Sequence, residues 1–408
     1  MNEYLDLQFE PTEAILAEVA IRIQLPPSRH ELAVERYRAI SDYAEREGSP
    51  LKDLIARFYP QGSMAIRATI ASGTSDNDYD IDIVAELLLP ESVAPETALK
   101  LMFLAIRGEP GSRYYDMTKR RSRCVTVYYA DGMHLDITPV VLNVQRSPRT
   151  SYLFHDDPDK PAEDSATLLM NAWGFCEWFK SKTHDDSSFA SRYAEMSRSL
   201  DFEAKADAEP VDPQEDPALK GTDVIALQLI KRFLNLRYEN RRGRKPPSVL
   251  LSKWVADDAI RSNSILKSAS HHVRLIRKRL SDAERRDQVV FESNPACHED
   301  CFTDRWPLTR TAQRLALEDL AAFQVALDQL ASGNLSIEDT QDLLIELFGD
   351  LHVREAVKSI QRSAGREMRE GRTRHRSGGG MHVGGLATGT GRTARRNTYY
   401  GGELGEPR

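Results

Sequence analysis

Cysteine and long apolar runs are both scarce in this chain. Four cysteines among 408 residues cannot make the disulfide framework of a secreted scaffold, and a reducing compartment suits them best. No stretch approaches the roughly eighteen consecutive apolar residues of a membrane helix. The opening MNEYLDLQFEPTEAI lacks the basic start and apolar centre of a secretory signal, which predicts a cytoplasmic protein with no membrane partner. An excess of positive charge is missing too. A net charge of −7 argues against a surface built to coat a polyanion and predicts no stable nucleic-acid complex. Any nucleotide site must therefore be a local patch. What is present, 40% hydrophobic and 29% charged residues, is ordinary for a globular protein with room for two lobes or one large fused domain.

The informative stretch is 58–89, FYPQGSMAIRATIASGTSDNDYDIDIVAELLL. Gly62 and Ser63 open a short segment compatible with a helix. Glycine lets a backbone approach a phosphate closely, and a helix N-terminus offers free N–H groups and a favourable dipole. A polar turn, Ser72 to Asn77, comes next, with Asp76 as its solvated acid and Asp78 just beyond it. Then comes a strand carrying Asp80 and Asp82. Residues two apart on a strand point to the same side, so these carboxylates share a face of an otherwise apolar strand. Two unpaired carboxylates there repel each other and are expensive to bury. A divalent cation removes that cost, and hard oxygen ligands suit Mg²⁺ or Mn²⁺. A phosphate cradle followed by a metal-binding pair is the pattern of metal-assisted nucleotidyl transfer.

Residues 123–129, RCVTVYY, read as a strand, Ala130-Asp131-Gly132 as a turn, and 133–142, MHLDITPVVL, as the returning strand. Asp136 sits in the middle of that strand, and a third carboxylate on a neighbouring strand completes a site for two ions. Helical spacing predicts helices over 11–24, 29–48 and 95–106. From 165 the chain turns helical: 165–182, 187–205, 222–240, 249–262, 266–282, 309–332, 336–348 and 351–370. The acidic, proline-bearing DAEPVDPQEDPALKG between the second and third reads as a solvated loop. Lys231, beside Arg232 in mid-helix, is able to pair a triphosphate. Ser248, after two prolines, is expected at a helix N-cap, where its hydroxyl serves the cap or a phosphate. Cys297, His298 and Cys301 have no evident fourth ligand for zinc, so a loop with two free thiols is expected. Beyond 372 the chain is Gly- and Arg-rich with almost no core residues, which predicts a mobile tail.

Gly62-Ser63, Asp80-Ile81-Asp82 and Leu135-Asp136-Ile137-Thr138-Pro139-Val140 together resemble the polymerase-β-type nucleotidyltransferases. The similarity is strongest to the CD-NTases, bacterial relatives of cyclic GMP-AMP synthase and oligoadenylate synthetase that belong to the anti-phage operons called CBASS. The resemblance implies an α+β fold: a nucleotidyltransferase core with a small mixed sheet over 1–165, a helical lobe over 166–371 completing the cleft, and a flexible tail over 372–408. It implies joining of two or three nucleoside triphosphates, ATP and possibly GTP, into a cyclic oligonucleotide with release of pyrophosphate. Two Mg²⁺ ions would be held by Asp80 and Asp82 and one of them also by Asp136. Ser63, Lys231 and Ser248 would contact the triphosphate. The product would signal to a downstream effector, and the tail offers a place for an activator or for conjugation, although Glu406-Pro407-Arg408 departs from the small-residue ends of conjugated termini. Two other readings share the motifs: template-independent RNA extension of the poly(A) or CCA-adding kind, and a non-catalytic antitoxin-like module. The acidic net charge weighs against the first, and the presence of all three acids against the second.

Overall fold

The computed structural model describes residues 11–24, 27–70, 79–146, 148–183 and 221–369, with three short strands further on. The expected turn at 72–77, Asp76 and Asp78, the helix expected over 187–205, the acidic loop after it and most of the tail lie outside the described residues. Within 372–408 the described pieces are Arg374–Arg376, Gly380–His382 and Arg392–Thr393, which pair into one small antiparallel sheet.

Two helices come first, α1 (Pro11–Ile23) and α2 (Pro27–Ala44). Next are β1 (Ile55–Pro60), the one-turn α3 (Gly62–Ala65), β2 (Tyr79–Leu87) and α4 (Pro95–Arg107). Strands β3 (Thr118–Arg120), β4 (Val125–Tyr128), β5 (Met133–Leu142), β6 (Ser151–His155) and β7 (Ala166–Met170) complete the main sheet. Its order is β1-β2-β5-β4-β3, with β6 and then β7 added where β5 runs on past β4. Only β2 and β5 are parallel; every other pairing is antiparallel, so the sheet is mixed.

Alternation decides what each sheet face does. On β2, Tyr79, Ile81, Ile83, Ala85 and Leu87 enter a core with Leu99, Met102 and Ile106 of α4 and Ala33 and Ile40 of α2. Asp80 and Asp82 have the opposite parity and stand on the other face. On β5, Met133, Leu135 and Ile137 join the same core, which leaves His134 and Asp136 beside the β2 acids.

The helical half comprises α5 (Ala172–Lys182), α6 (Thr222–Tyr238), α7 (Ser248–Asp257), α8 (Ile265–Arg285), α9 (Arg310–Ser332), α10 (Ile337–Phe348) and α11 (Asp350–Arg369). A two-strand hairpin, β8 (Ser293–Asn294) and β9 (Cys297–Cys301), interrupts it. Helix α6 is buried nearly all round, the mark of a central helix. A second core surrounds it, and α1 belongs there rather than to the sheet. The helix starts obey capping chemistry: the side chains of Asn171, Ser264, Thr309 and Ser336 each accept from a backbone N–H one turn in.

Two expectations need correction. The helix predicted over 165–182 begins only at Ala172, because Ala166–Met170 pairs antiparallel with β6 and Asn171 then caps α5. Ser248 is not the N-cap of α7. Pro247 holds that position in extended backbone, and Ser248 is the first helical residue.

Candidate active site

The site grows from the parallel pair β2–β5. Their register sets Asp80 against His134 and Asp82 against Asp136, so the three acids lie on one face across two adjacent strands. Thr126 Oγ1, from β4, donates to Asp136 Oδ1 at 2.5 Å and fixes that carboxylate from the far side. His134 Nδ1 lies 3.4 Å from Asp80 Oδ1.

Gly62 explains its own presence. Its φ is +59°, and a Cβ built on it would stand 2.5 Å from Asp82 Oδ2. Only glycine allows α3 to lie this close to the acid. Gln61 N–H donates to the Asp82 carbonyl at 2.9 Å, which ties the turn to the strand. Ser63 Oγ accepts from Lys231 Nζ at 2.7 Å, and the same ammonium donates to the Ala68 carbonyl at 2.7 Å. The buried α6 thus delivers Lys231 directly onto the Gly-Ser turn. Its neighbour Arg232 turns away and donates to the Phe348 carbonyl at 3.0 Å, a tie between α6 and α10.

The electrostatics fit a cation site. Burial, then the carboxylates of Asp136 and Asp80, push the Asp82 carboxyl up to about 7, against the pull of Lys231. Burial raises Asp136 as well, with Asp80 adding to it and the Thr126 hydroxyl opposing. Burial and the nearby Lys245 bring the Lys231 ammonium down to about 7, while Asp82 and Asp80 act to keep it charged. Acids that raise one another in the bare protein form a hard-oxygen set suited to Mg²⁺ or Mn²⁺.

All seven residues singled out from the sequence, Gly62, Ser63, Asp80, Asp82, Asp136, Lys231 and Ser248, line one cleft of about 480 Å³ between the sheet and the helical half. Residues that the sequence pattern does not single out line it too. Arg244 and Lys245 belong to the basic RGRKPP run that leads into α7, and that run is their signal. Asp300 lies on the β9 hairpin, between thiols that mask it. The four cysteines are free. Among the described residues no three His, Cys, Asp or Glu side chains converge closely enough to hold an ion as they stand, either around Cys297, His298 and Cys301 or at the three acids. Burial raises the Asp300 carboxyl, and donors from Asn294 and the Asn171 backbone work against that rise.

Comparison with known proteins points the same way. Residues 12–161 match the Second Messenger Oligonucleotide or Dinucleotide Synthetase domain, SMODS. The chain is 37% identical over 379 residues to the cyclic dinucleotide synthase CdnG of Bradyrhizobium diazoefficiens, spanning 92% of this chain and 89% of the relative. The solved structure of that CD-NTase in complex with GTP superposes with a TM-score of 0.75 at 37% identity, covering 86% of this chain and 99% of that one. At the level of fold alone, CdnC of E. coli MS115-1, solved with ATP, matches with a TM-score of 0.55 at 15% identity, over 83% of this chain and 98% of that one.

Proposed function

Because the chain belongs to the CD-NTase family of nucleotidyltransferases, we propose that it joins nucleoside triphosphates, GTP among them, into a cyclic dinucleotide with release of pyrophosphate. The observation that carries this reading is the register of β2 on β5, which sets Asp82 beside Asp136, directly against the Gly62-Ser63 turn. A phosphate-holding turn lying directly against a carboxylate cluster in one cleft is what phosphodiester formation needs.

In this reading Asp80 and Asp82 would hold two divalent ions, and Asp136 would help hold one of them. Bound there, Mg²⁺ would neutralise the acids and the triphosphate and ease loss of the hydroxyl proton. The protein's own groups do the positioning. Ser63 Oγ and the Lys231 ammonium, now bonded to each other, turn to the phosphate oxygens. Ser248 and Lys245 line the same wall and take the rest of the triphosphate. Thr126 keeps Asp136 in place while the ribose hydroxyl arrives. The product leaves as a soluble signal for an effector.

Incubating the protein with each labelled triphosphate and Mg²⁺, then with phosphatase, tests the proposal. A phosphatase-resistant product that disappears in Asp82→Asn is expected. Labelled products that phosphatase degrades completely would overturn cyclisation, and equal turnover in Asp82→Asn would overturn the site.

A further inference from the structure

A second cavity, of about 600 Å³, adjoins the cleft and shares a wall with it. Asn235, Arg244, Lys245, Pro247 and Arg305 line both. Most of that wall is the linker between α6 and α7, which Pro246 and Pro247 stiffen. The buried Tyr238 and Trp306 line the second cavity and not the cleft. Glu239, Gly243, Arg244 and Lys245 are exposed, so this cavity opens to water.

The charge of the second cavity is one-sided. Arg244, Lys245 and Arg305 stand there against a single acid, Glu239. Arg244 forms no hydrogen bond or ion pair with any described residue. Arg305 donates to the Ser122 hydroxyl at 3.2 Å and to the His155 ring at 3.1 Å, neither of which is an anion. Burial, then the guanidinium of Arg123, weaken its hold on its proton; Asp304 opposes this and Arg244 adds to it. Lys245 Nζ donates to Asn235 Oδ1, a neutral amide, within the shared wall. Like charges crowded around an open cavity with too few acids to match them make a site for an anion.

We infer that this cavity receives the pyrophosphate that leaves the cleft, held by Arg244, Lys245 and Arg305; this rests on reading the cleft as a nucleoside triphosphate site. When a ribose hydroxyl attacks, its oxygen bonds to the α-phosphorus and the α–β bridge breaks. The electron pair of that bridge leaves with pyrophosphate, and the hydroxyl proton passes to solvent. A ring of two nucleotides needs this step twice. The first pyrophosphate must clear Ser63 and Lys231 before the triphosphate of the linear intermediate takes its place there. Lys245 lines both spaces, so the anion moves from one to the other without losing a cation. Guanidinium forks match the terminal oxygens of a diphosphate, and the open side lets it escape.

The experiment titrates inorganic pyrophosphate, and orthophosphate as the smaller anion, into the full chain at fixed free Mg²⁺, with and without a saturating non-hydrolysable triphosphate. Pyrophosphate should bind the nucleotide-filled protein, about tenfold or more tightly than orthophosphate. Arg244→Gln should weaken that binding about fivefold to tenfold, and Glu239→Gln should tighten it about twofold to threefold. Affinity for the triphosphate should stay within about twofold of wild type in both variants. Added pyrophosphate should also lower kcat at saturating triphosphate, and less so in Arg244→Gln. Pyrophosphate that binds only when the triphosphate is absent, or inhibition that saturating triphosphate removes entirely, overturns the inference, because either result confines the anion to the cleft. So does equal pyrophosphate affinity in wild type, Arg244→Gln and Glu239→Gln, or orthophosphate bound as tightly as pyrophosphate. Wild type that binds pyrophosphate beside the triphosphate but forms no phosphodiester keeps the anion site and removes the proposed function instead.

Discussion

Gly62→Ala separates two costs that usually arrive together. The left-handed φ of +59° is strained for alanine, by about 1–2 kcal/mol. The new methyl also lands 2.5 Å from Asp82 Oδ2 and 3.2 Å from its Cγ. Ordinary contact begins at 3.4 Å, so the carboxylate must retreat by 3.4 − 2.5 = 0.9 Å or swing aside. The atoms displaced are the end of one side chain, so the fold survives while the acid leaves its place. A misplacement of about 1 Å at a reacting centre costs on the order of a hundredfold in rate. Gly333→Ala is the matched control. Gly333 has φ +66° at the end of α9, and a Cβ there meets nothing within 4 Å. Both variants should therefore lose similar thermal stability, a few degrees in Tm at most. Only Gly62→Ala should lose turnover, read as phosphatase-resistant product per minute at saturating triphosphate and Mg²⁺. Turnover within about threefold of wild type in Gly62→Ala would refute the reasoning, and so would a matching loss in Gly333→Ala.

Asp82 holds its proton more tightly folded than unfolded, up to about 7 against an ordinary 3.8, so its contribution is most favourable at acid pH and is lost as pH rises through 7. Asp82→Asn should therefore stabilise the metal-free protein at pH 8 by about 1–3 kcal/mol and show none of the Mg²⁺-dependent rise in Tm expected of wild type; parallel Tm–pH curves for the two proteins would contradict this. Asp136→Asn should keep Mg²⁺-dependent binding of a non-hydrolysable triphosphate while losing phosphodiester formation, and joint loss of both would place Asp136 on the triphosphate side. Lys231→Met removes a buried cation that bonds Ser63, so triphosphate affinity should fall about tenfold or more; unchanged affinity by titration would end its assignment to phosphate.

The acids are legible in the sequence because strand alternation is a local rule. Asp80, Asp82 and Asp136 interrupt apolar residues at a spacing that fixes which way they point, and no long-range knowledge is needed. The Gly-Ser turn is legible for the same reason. The hidden features depend on pairing between distant segments. Ala166–Met170 reads as the start of a helix until β6 is available beside it. The strand β1 gives little signal by itself, since only two of its residues are buried. Lys245 and Asp300 reach the cleft across separations that no periodicity reports. Asp300 in particular sits in the run Cys297-His298-Glu299-Asp300-Cys301, whose thiols and imidazole suggest a metal, and only the buried Asn294 shows which acid is held.

The seam between the two cores ties the segment after the Gly-Ser turn to α6. The acids are rooted in the sheet core, whereas Lys231 rides on α6 in the other. The segment after α3 joins them: Lys231 Nζ donates to the Ala68 carbonyl, and Gln228, one turn earlier on α6, donates to the Thr69 carbonyl at 3.0 Å. Gln228 is completely buried and touches none of the acids by hydrogen bond. Gln228→Met keeps the volume and removes the donor, leaving the buried Thr69 carbonyl without this partner at a cost of about 1–3 kcal/mol. If the seam positions the turn, Ser63 shifts relative to Asp82 and KM for the triphosphate rises together with a fall in kcat. If the bond serves stability alone, Tm falls and both kinetic constants stay at wild-type values. Steady-state kinetics at a temperature well below both melting transitions distinguishes the two, and unchanged kcat/KM beside a lowered Tm would show that the seam does not set the active-site geometry.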